Sequence, residues 1–385
     1  MVLLAGAVPA QTDKGDDSKK GHVDCKACGG QNRRDCPEHS KADLKLCREA
    51  VYCSICAECK KCGGTSWIDC QVCSAPEIEK QLEESRVDIR KWLEERRKSV
   101  DTFMKHPCNH GKSDHVDLVF ELKPMKVGLN KLSTHELLHL YLQRIEDARA
   151  LFLKSLEARA TDIGERTQVY MWKDAQDQVI AAPKFSGMGA SGVGVKLMGA
   201  SQVYTMRPEK QEATDDEMLH RNVMHNVSHL FLANMTPSLW IGNQKGGWVD
   251  EGVAHWFEFT IGKRCTNRCT EEVASDMQLP KGGKMRSHTR RLVDSGKNPS
   301  FAQVCQKNTD QLTGDEHALA YSYVDFLITT YGGAKFKQMC TVLKEKKPAR
   351  EALMAAYGLN PITIEPLWRE YVIKNYPPME PDQAR

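Results

Sequence analysis

No window of this chain approaches the roughly 20 consecutive apolar residues that a membrane-spanning helix requires, so no membrane span is expected. Net charge is nearly missing too: 54 Lys and Arg face 51 Asp and Glu, which leaves +3. That balance gives no electrostatic ground for binding nucleic acid or an anionic membrane. A charged fraction of 27% beside 41% hydrophobic residues is that of an ordinary soluble protein, and 385 residues give room for two or three domains. The basic start of a signal peptide is also absent, although the first ten residues, MVLLAGAVPA, are apolar and end in Val8-Pro9-Ala10, small residues that a signal peptidase prefers. From Gln11 the chain turns polar. Residues 1–10 therefore read as the remnant of a signal peptide and 11–24 as a linker, with export to the periplasm or exterior expected. A frayed apolar tail is the other reading.

What the sequence has in excess is cysteine. Of fifteen, ten lie between Cys25 and Cys73, a density that signals a metal module or a disulfide framework. Two segments superimpose at an offset of 34 residues, Cys25 onto Cys59. The first reads Cys25-x2-Cys28-Gly-Gly and then Cys36-x2-His39; the second reads Cys59-x2-Cys62-Gly-Gly and then Cys70-x2-Cys73. A C-x2-C knuckle turns tightly enough to aim both thiolates at one ion, and the glycines allow the turn. Two knuckles joined by a hairpin make four ligands, so each repeat is expected to hold one ion, two in the module. His39 in a cysteine position favours zinc, because histidine can ligate but cannot form a disulfide. The spacing resembles the zinc knuckles of the DnaJ-type cysteine-rich domain over about 50 residues. A disulfide-stapled knot is the alternative. With every position filled, the module implies scaffolding or a protein partner rather than chemistry. Cys53-x2-Cys56, with Cys47 nearby, suits a further ion whose remaining ligands the sequence does not name, or a disulfide.

The module is read as residues 25–74. A capping box of Ser74 with Glu77, and Pro76 in the first turn, start a charged helix that serves as a connector over residues 75–107. The remainder, 108–385, reads as one large domain, with strands expected at 115–122, 167–172, 192–198 and 202–206.

Two histidine pairs compete as metal ligands. His135-Glu136-Leu137-Leu138-His139 is a literal H-E-x-x-H. Ser133 and Glu136 form a capping box there, so the helix begins at the motif and Glu136 already has a structural task. This pair is expected to be a surface helix start rather than a metal site. The second pair, His225-Asn226-Val227-Ser228-His229, lies within a helix that Thr214 and Glu217 are expected to cap, and Trp248-Val249-Asp250-Glu251-Gly252-Val253-Ala254-His255-Trp256-Phe257-Glu258 follows. These two boxes resemble those of gluzincins and the peptidase MA-like families, in which H-E-x-x-H on one helix is completed by a glutamate on the next. The resemblance implies an α+β, zincin-like metallopeptidase domain with one zinc on His225, His229 and Glu251. It further implies that His317 or Tyr321 corresponds to the residue that supports the developing oxyanion. Packing or solvent exposure is the bland reading of both.

The resemblance breaks at Asn226, which stands where the catalytic glutamate belongs. An amide can hydrogen-bond a water but cannot take its proton, and such acid–base help is worth about 10²–10⁴-fold. Three readings follow: a zinc-binding pseudopeptidase that uses its cleft for a peptide or protein ligand, an active hydrolase with Glu258 or His255 as substitute base, and a metal-free structural protein. Cys108, Cys265, Cys269, Cys305 and Cys340 have no metal-like arrangement beyond the loose Cys265-x3-Cys269, and export would pair some of them as disulfides.

Overall fold

The computed structural model describes residues 25–49, 52–73, 75–164, 166–190, 194–199, 202–267, 269 and 278–379. The signal-like segment, the linker and Ser74 lie outside the described residues. Among those described, no helix is long and apolar enough to cross a membrane. The architecture is mixed α and β, with the cysteine-rich region at the N-terminal end.

In that region β1 (Arg33–Asp35) and β3 (Trp67–Asp69) pair antiparallel, Arg33 opposite Asp69, with α1 (Lys41–Glu49) between them in sequence. The short β2 (Tyr52–Cys53) leads directly into α2 (Ser54–Ala57). This strand crosses the expected boundary, because Tyr52 and Cys53 pair with Lys112 and Gly111 of β4 (His110–Lys112) in the main sheet. Between them runs the rod α3 (Pro76–Arg96), which passes through a π-helical turn, Arg97–Asp101, into α4 (Thr102–Met104). Its apolar stripe, Leu82, Ile89, Leu93 and Val100, is buried, and Trp92 packs on Tyr52 at 5.4 Å between ring centroids. Ala75 occupies the N-cap position of α3 and makes no side-chain cap bond.

The main sheet has six strands in the order β2-β4-β5-β8-β10-β9. Its centre is parallel: β5 (Val116–Phe120), β8 (Thr167–Met171) and β10 (Gln202–Met206), with β9 (Gly194–Leu197) antiparallel at one edge. Side chains alternate between two cores. Leu118, Phe120, Val169, Met171, Tyr204 and Met206 face the larger one, while Val119, Tyr170, Trp172 and Val203 face the smaller. Between β5 and β8 come the hairpin of β6 (Met125–Val127) with β7 (Asn130–Leu132) and α5 (Thr134–Ser155); α6 (Ala175–Ser186) follows β8. Helix α5 does begin with the Ser133–Glu136 capping box, but His139 is buried at 3% exposure, so the expected surface position is corrected.

Helix α7 (Asp216–Asn234) carries His225 and His229 in its middle. Its cap is Asp215, whose Oδ1 accepts from the backbone N–H of Glu217 and Met218 at 3.0 and 3.1 Å; Thr214 instead bonds the Gln211 carbonyl. The aspartate precedes the helix by one residue, whereas the threonine is a residue too early to reach these donors. Asp216 takes a bidentate bridge from Arg144 of α5, 2.6 and 2.8 Å, and thereby anchors the start of α7 with a charge that suits a helix N-terminus. At the far end Lys344 donates to the Leu232, Ala233 and Met235 carbonyls, which satisfies groups a helix C-terminus would leave unbonded.

Helix α8 (Gly247–Gly262) packs on α7 and on α11 (Gly314–Tyr331). Around them lie α9 (Met285–Asp294), α10 (Phe301–Val304), α12 (Gly333–Lys344), α13 (Ala349–Tyr357) and α14 (Glu365–Asn375). The α8–α11 crossing is close enough that a Cβ on Gly252 would stand 2.5 Å from the Ala320 carbonyl oxygen and 2.6 Å from Val324 Cγ2. Gly252 follows Glu251, so this approach also fixes where that carboxylate sits. Gly252→Ala is expected to cost about 1–3 kcal/mol by overpacking, more than the helix-propensity gain of about 1 kcal/mol. Urea unfolding of the two proteins measures it; an alanine variant as stable as the parent contradicts this crossing.

Candidate metal centres

The eight repeat residues gather into two groups of four, but not repeat by repeat. Cys25 and Cys28 meet Cys70 and Cys73, while Cys36 and His39 meet Cys59 and Cys62. The expectation of one ion per repeat is corrected. Pairing of β1 with β3 lays the two hairpins side by side, so the first knuckle of each closes on the second half of the other. Four donors bonded to one ion at about 2.0–2.3 Å stand roughly 3.3–3.8 Å from one another. The observed separations are 4.0 Å for Cys25–Cys70, 3.4 Å for Cys28–Cys73, 3.8 Å for Cys36–Cys59 and 3.3 Å from His39 Nε2 to Cys62 Sγ. Both groups could hold a metal ion.

The third group lies where α7 crosses α8. Residues one helical turn apart share a face, so His225 and His229 bring their Nε2 atoms to 3.3 Å. Glu251 answers from α8, with its oxygens 3.8 Å from His225 Nε2 and 3.7 Å from His229 Nε2. A fourth donor is Cys269, whose Sγ lies 3.6 Å from His225 Nε2 and 3.5 Å from His229 Nε2. All four are buried, and their donor atoms lie within 4.8 Å of one another. Neither oxygen of Glu251 has a well-aligned hydrogen-bond donor, the nearest being His317 Nδ1 at 3.4 Å from Oε2. A dry carboxylate left so is costly unless a cation completes it, and the arrangement fits a metal ion.

Around this group an acid stands beside the Nδ1 of each histidine. His225 Nδ1 shares a hydrogen bond with Glu258 Oε2 at 3.2 Å, and His229 Nδ1 lies 3.1 Å from Asp250 Oδ1. A carboxylate only accepts, so Glu258 holds the His225 ring proton on Nδ1 and leaves that Nε2 lone pair facing the group. Glu258 is itself fixed by the backbone N–H of Thr266 at 2.6 Å and the Asn267 amide at 2.7 Å. Burial opposes its charge, but hydrogen bonds with His225 and His255 bring it down to about 2. Asp250 Oδ2 accepts from Trp240 Nε1 at 2.8 Å. Burial likewise works against ionised Glu251, yet His229, His317 and His225 hold it well below the usual carboxylate range. Burial lowers His225 to about 4, which keeps it in the neutral form a ligand requires.

Asn226 points away from a basic role. Its Oδ1 accepts from Lys196 Nζ at 3.0 Å, and its Nδ2 donates to the Asn222 carbonyl at 2.9 Å. Lys196, from the edge strand β9, also reaches Cys269 Sγ at 2.7 Å. His317 is fully buried; its Nδ1 lies 3.4 Å from Glu251 Oε2 and 3.0 Å from His255 Nε2. It therefore stands behind the glutamate. The Tyr321 hydroxyl accepts from Arg286 Nε at 2.9 Å.

Cys269 and Lys196 are the members that sequence reasoning missed. Cys269 follows Glu251 by eighteen positions in no metal-like spacing, and Lys196 depends on the pairing of β9. The one signal was the loose Cys265-x3-Cys269, of which Cys265 instead bonds the His255 carbonyl. Cys108, Cys265, Cys269, Cys305 and Cys340 form no disulfide among the described residues. Comparison with protein-family models gives no match, and comparison with curated proteins gives none either, so the geometry carries the reading.

Glu258→Gln separates orientation from coordination. The amide would keep its oxygen on the Thr266 and Asn267 donors and turn its NH₂ toward His225 Nδ1, which moves the ring proton to Nε2. Metal affinity of this group is expected to fall about 10–100-fold while the fold persists. Competition with a chromophoric chelator measures the change, and unaltered affinity would show that the acid orients nothing.

Proposed function

We propose that the chain is a zinc-binding, gluzincin-like protein that holds its metal in a closed, non-hydrolytic site and serves to bind a peptide or protein. The observation that carries this is Cys269 beside His225, His229 and Glu251. A hydrolytic zinc keeps one position open for water or substrate, whereas four protein donors are the pattern of a structural ion. Two imidazoles, a thiolate and a carboxylate suit zinc by softness and number, as do the four-cysteine and three-cysteine-one-histidine groups of the module. Zinc so held cross-links the chain and has no exposed face with which to polarise a carbonyl.

The chain's own residues agree with this reading. The Asn226 amide, bonded to Lys196 and Asn222, neither accepts a proton at neutral pH nor stands free to position a water. Glu258 and His255, the two candidates for a substitute base, are buried behind the ligands and engaged with each other and with His225 and His317. In favour of a peptide ligand stands β9, which among the described strands forms the sheet edge nearest the metal helix and carries Lys196. A sheet edge offers unpaired backbone groups to an extended chain. The α+β arrangement, a mixed sheet followed by two histidines on one helix and an acid on the next, is what a zincin-like domain requires.

Peptide-library assays on purified full-length chain, with zinc counted by atomic emission, test this reading. Wild type is expected to carry zinc that His225→Ala reduces by one equivalent, and to hydrolyse nothing. Asn226→Glu alone stays inactive because the thiolate remains, while Asn226→Glu with Cys269→Ala gains chelator-sensitive hydrolysis, about 10²–10⁴-fold above the Cys269→Ala single variant. Chelator-sensitive cleavage by wild type would sink the proposal, and zinc unchanged by His225→Ala would remove the metal from it.

A further inference from the structure

One motif remains outside the proposed function: the H-E-x-x-H of α5. Its two histidines point at the cysteine pair whose partners the sequence left unnamed. His135 and His139 meet edge to face one turn apart with centroids 4.9 Å from each other, and His135 Nε2 lies 3.3 Å from Cys56 Sγ. With Cys53 they form a group of four donors within 4.8 Å. Cys53, Cys56 and His139 are buried at 4%, 2% and 3% exposure. Both ring nitrogens of His139 lack any hydrogen-bond partner, although buried polar atoms are almost always satisfied.

The cysteine pair also has the local shape of the other knuckles. In the first, the Cys25 sulfur takes backbone N–H bonds from Ala27 and Cys28; in the second, Cys59 takes them from Lys61 and Cys62. Cys53 takes them from Ile55 and Cys56, at the same two offsets.

We infer that Cys53, Cys56, His135 and His139 form a further structural zinc site, which ties the cysteine-rich region to helix α5 of the main body. Two thiolates and two imidazoles are a closed tetrahedral set for zinc. Glu136 takes no part in it: its carboxylate accepts from the backbone and side chain of Ser133 at 2.7 and 2.8 Å, so the motif that spells a protease helix serves here as cap and ligand. Cys56 has a second suitor. The structure joins it to Cys47 in a disulfide, and one sulfur cannot serve both. A phosphine or thiol reductant supplies the two electrons, and solvent the two protons, that return Cys47 and Cys56 to thiols; zinc then displaces the protons of Cys53 and Cys56. The site is therefore filled in the reduced chain and vacated when a disulfide donor reoxidises the pair.

The test counts zinc per full-length chain, purified in a phosphine reductant and checked for folding by circular dichroism. His139→Asn, and the milder His135→Ala at a half-buried position, are each expected to lose one equivalent while the other groups keep theirs. Cys47→Ser is expected to lose none. Combined with His225→Ala, the His135 change should lose two, which separates this site from the one at α7 and α8. Cobalt loaded into the wild type should add a thiolate charge-transfer band that the His135→Ala protein lacks in proportion. Unchanged zinc in both histidine variants overturns the inference, as does loss of an equivalent from Cys47→Ser.

Discussion

The α7–α8 crossing places His225, His229, Asp250, Glu251, His255, Glu258 and, from α11, His317 in a space without solvent, each at 0% exposure. Three acids and four imidazoles cannot stay there uncompensated, since an unpaired buried charge costs several kcal/mol. The surrounding structure is arranged to meet that demand. Asp215 and Asp216 fix the start of α7, Lys344 closes its end, and Gly252 lets α11 approach until His317 stands behind Glu251. Each acid faces an imidazole, and the one carboxylate without a well-aligned donor is the one that faces the cysteine.

Much of this was legible because it is local. The helix carrying His225 and His229 follows from its own letters, as does the glutamate box of α8, and the strands at 116–120, 167–171, 194–197 and 202–206 fall inside the expected runs. What the letters could not supply was pairing at long range. The knuckles were visible from C-x2-C spacing, but which of them meet depends on Arg33 lying opposite Asp69. Cys269 reaches α7 across some forty positions of chain, and no spacing rule announces that. The misplaced cap shows the smaller version of the same limit, since Thr214 and Asp215 differ by one residue and only backbone geometry chooses between them.

The H-E-x-x-H at 135–139 fails for a different reason. Glu136 does close a capping box with Ser133, but a surface position for the histidines does not follow from it. A cap fixes where a helix begins and says nothing about which side of the helix is covered. Here β2 and α2 cover it, because Tyr52 and Cys53 join the main sheet beside β4 and bring Cys53 and Cys56 over the first turn of α5. A strand of two residues carries too little pattern to be read in advance.

The two histidine pairs make an internal comparison. One has a glutamate between its histidines and no acid from a following helix; the other has Asn226 there and Glu251 from α8. Both groups are completed by cysteine, Cys53 and Cys56 in the first and Cys269 in the second. In the proposed closed centre a base at position 226 would have no water to act on, whereas the Asn226 amide ties Lys196 to α7. On this view the asparagine does not disable a working centre. It accompanies a donor set that Cys269 completes, and in the proposed reading closure by sulfur, more than the missing carboxylate, limits the chemistry.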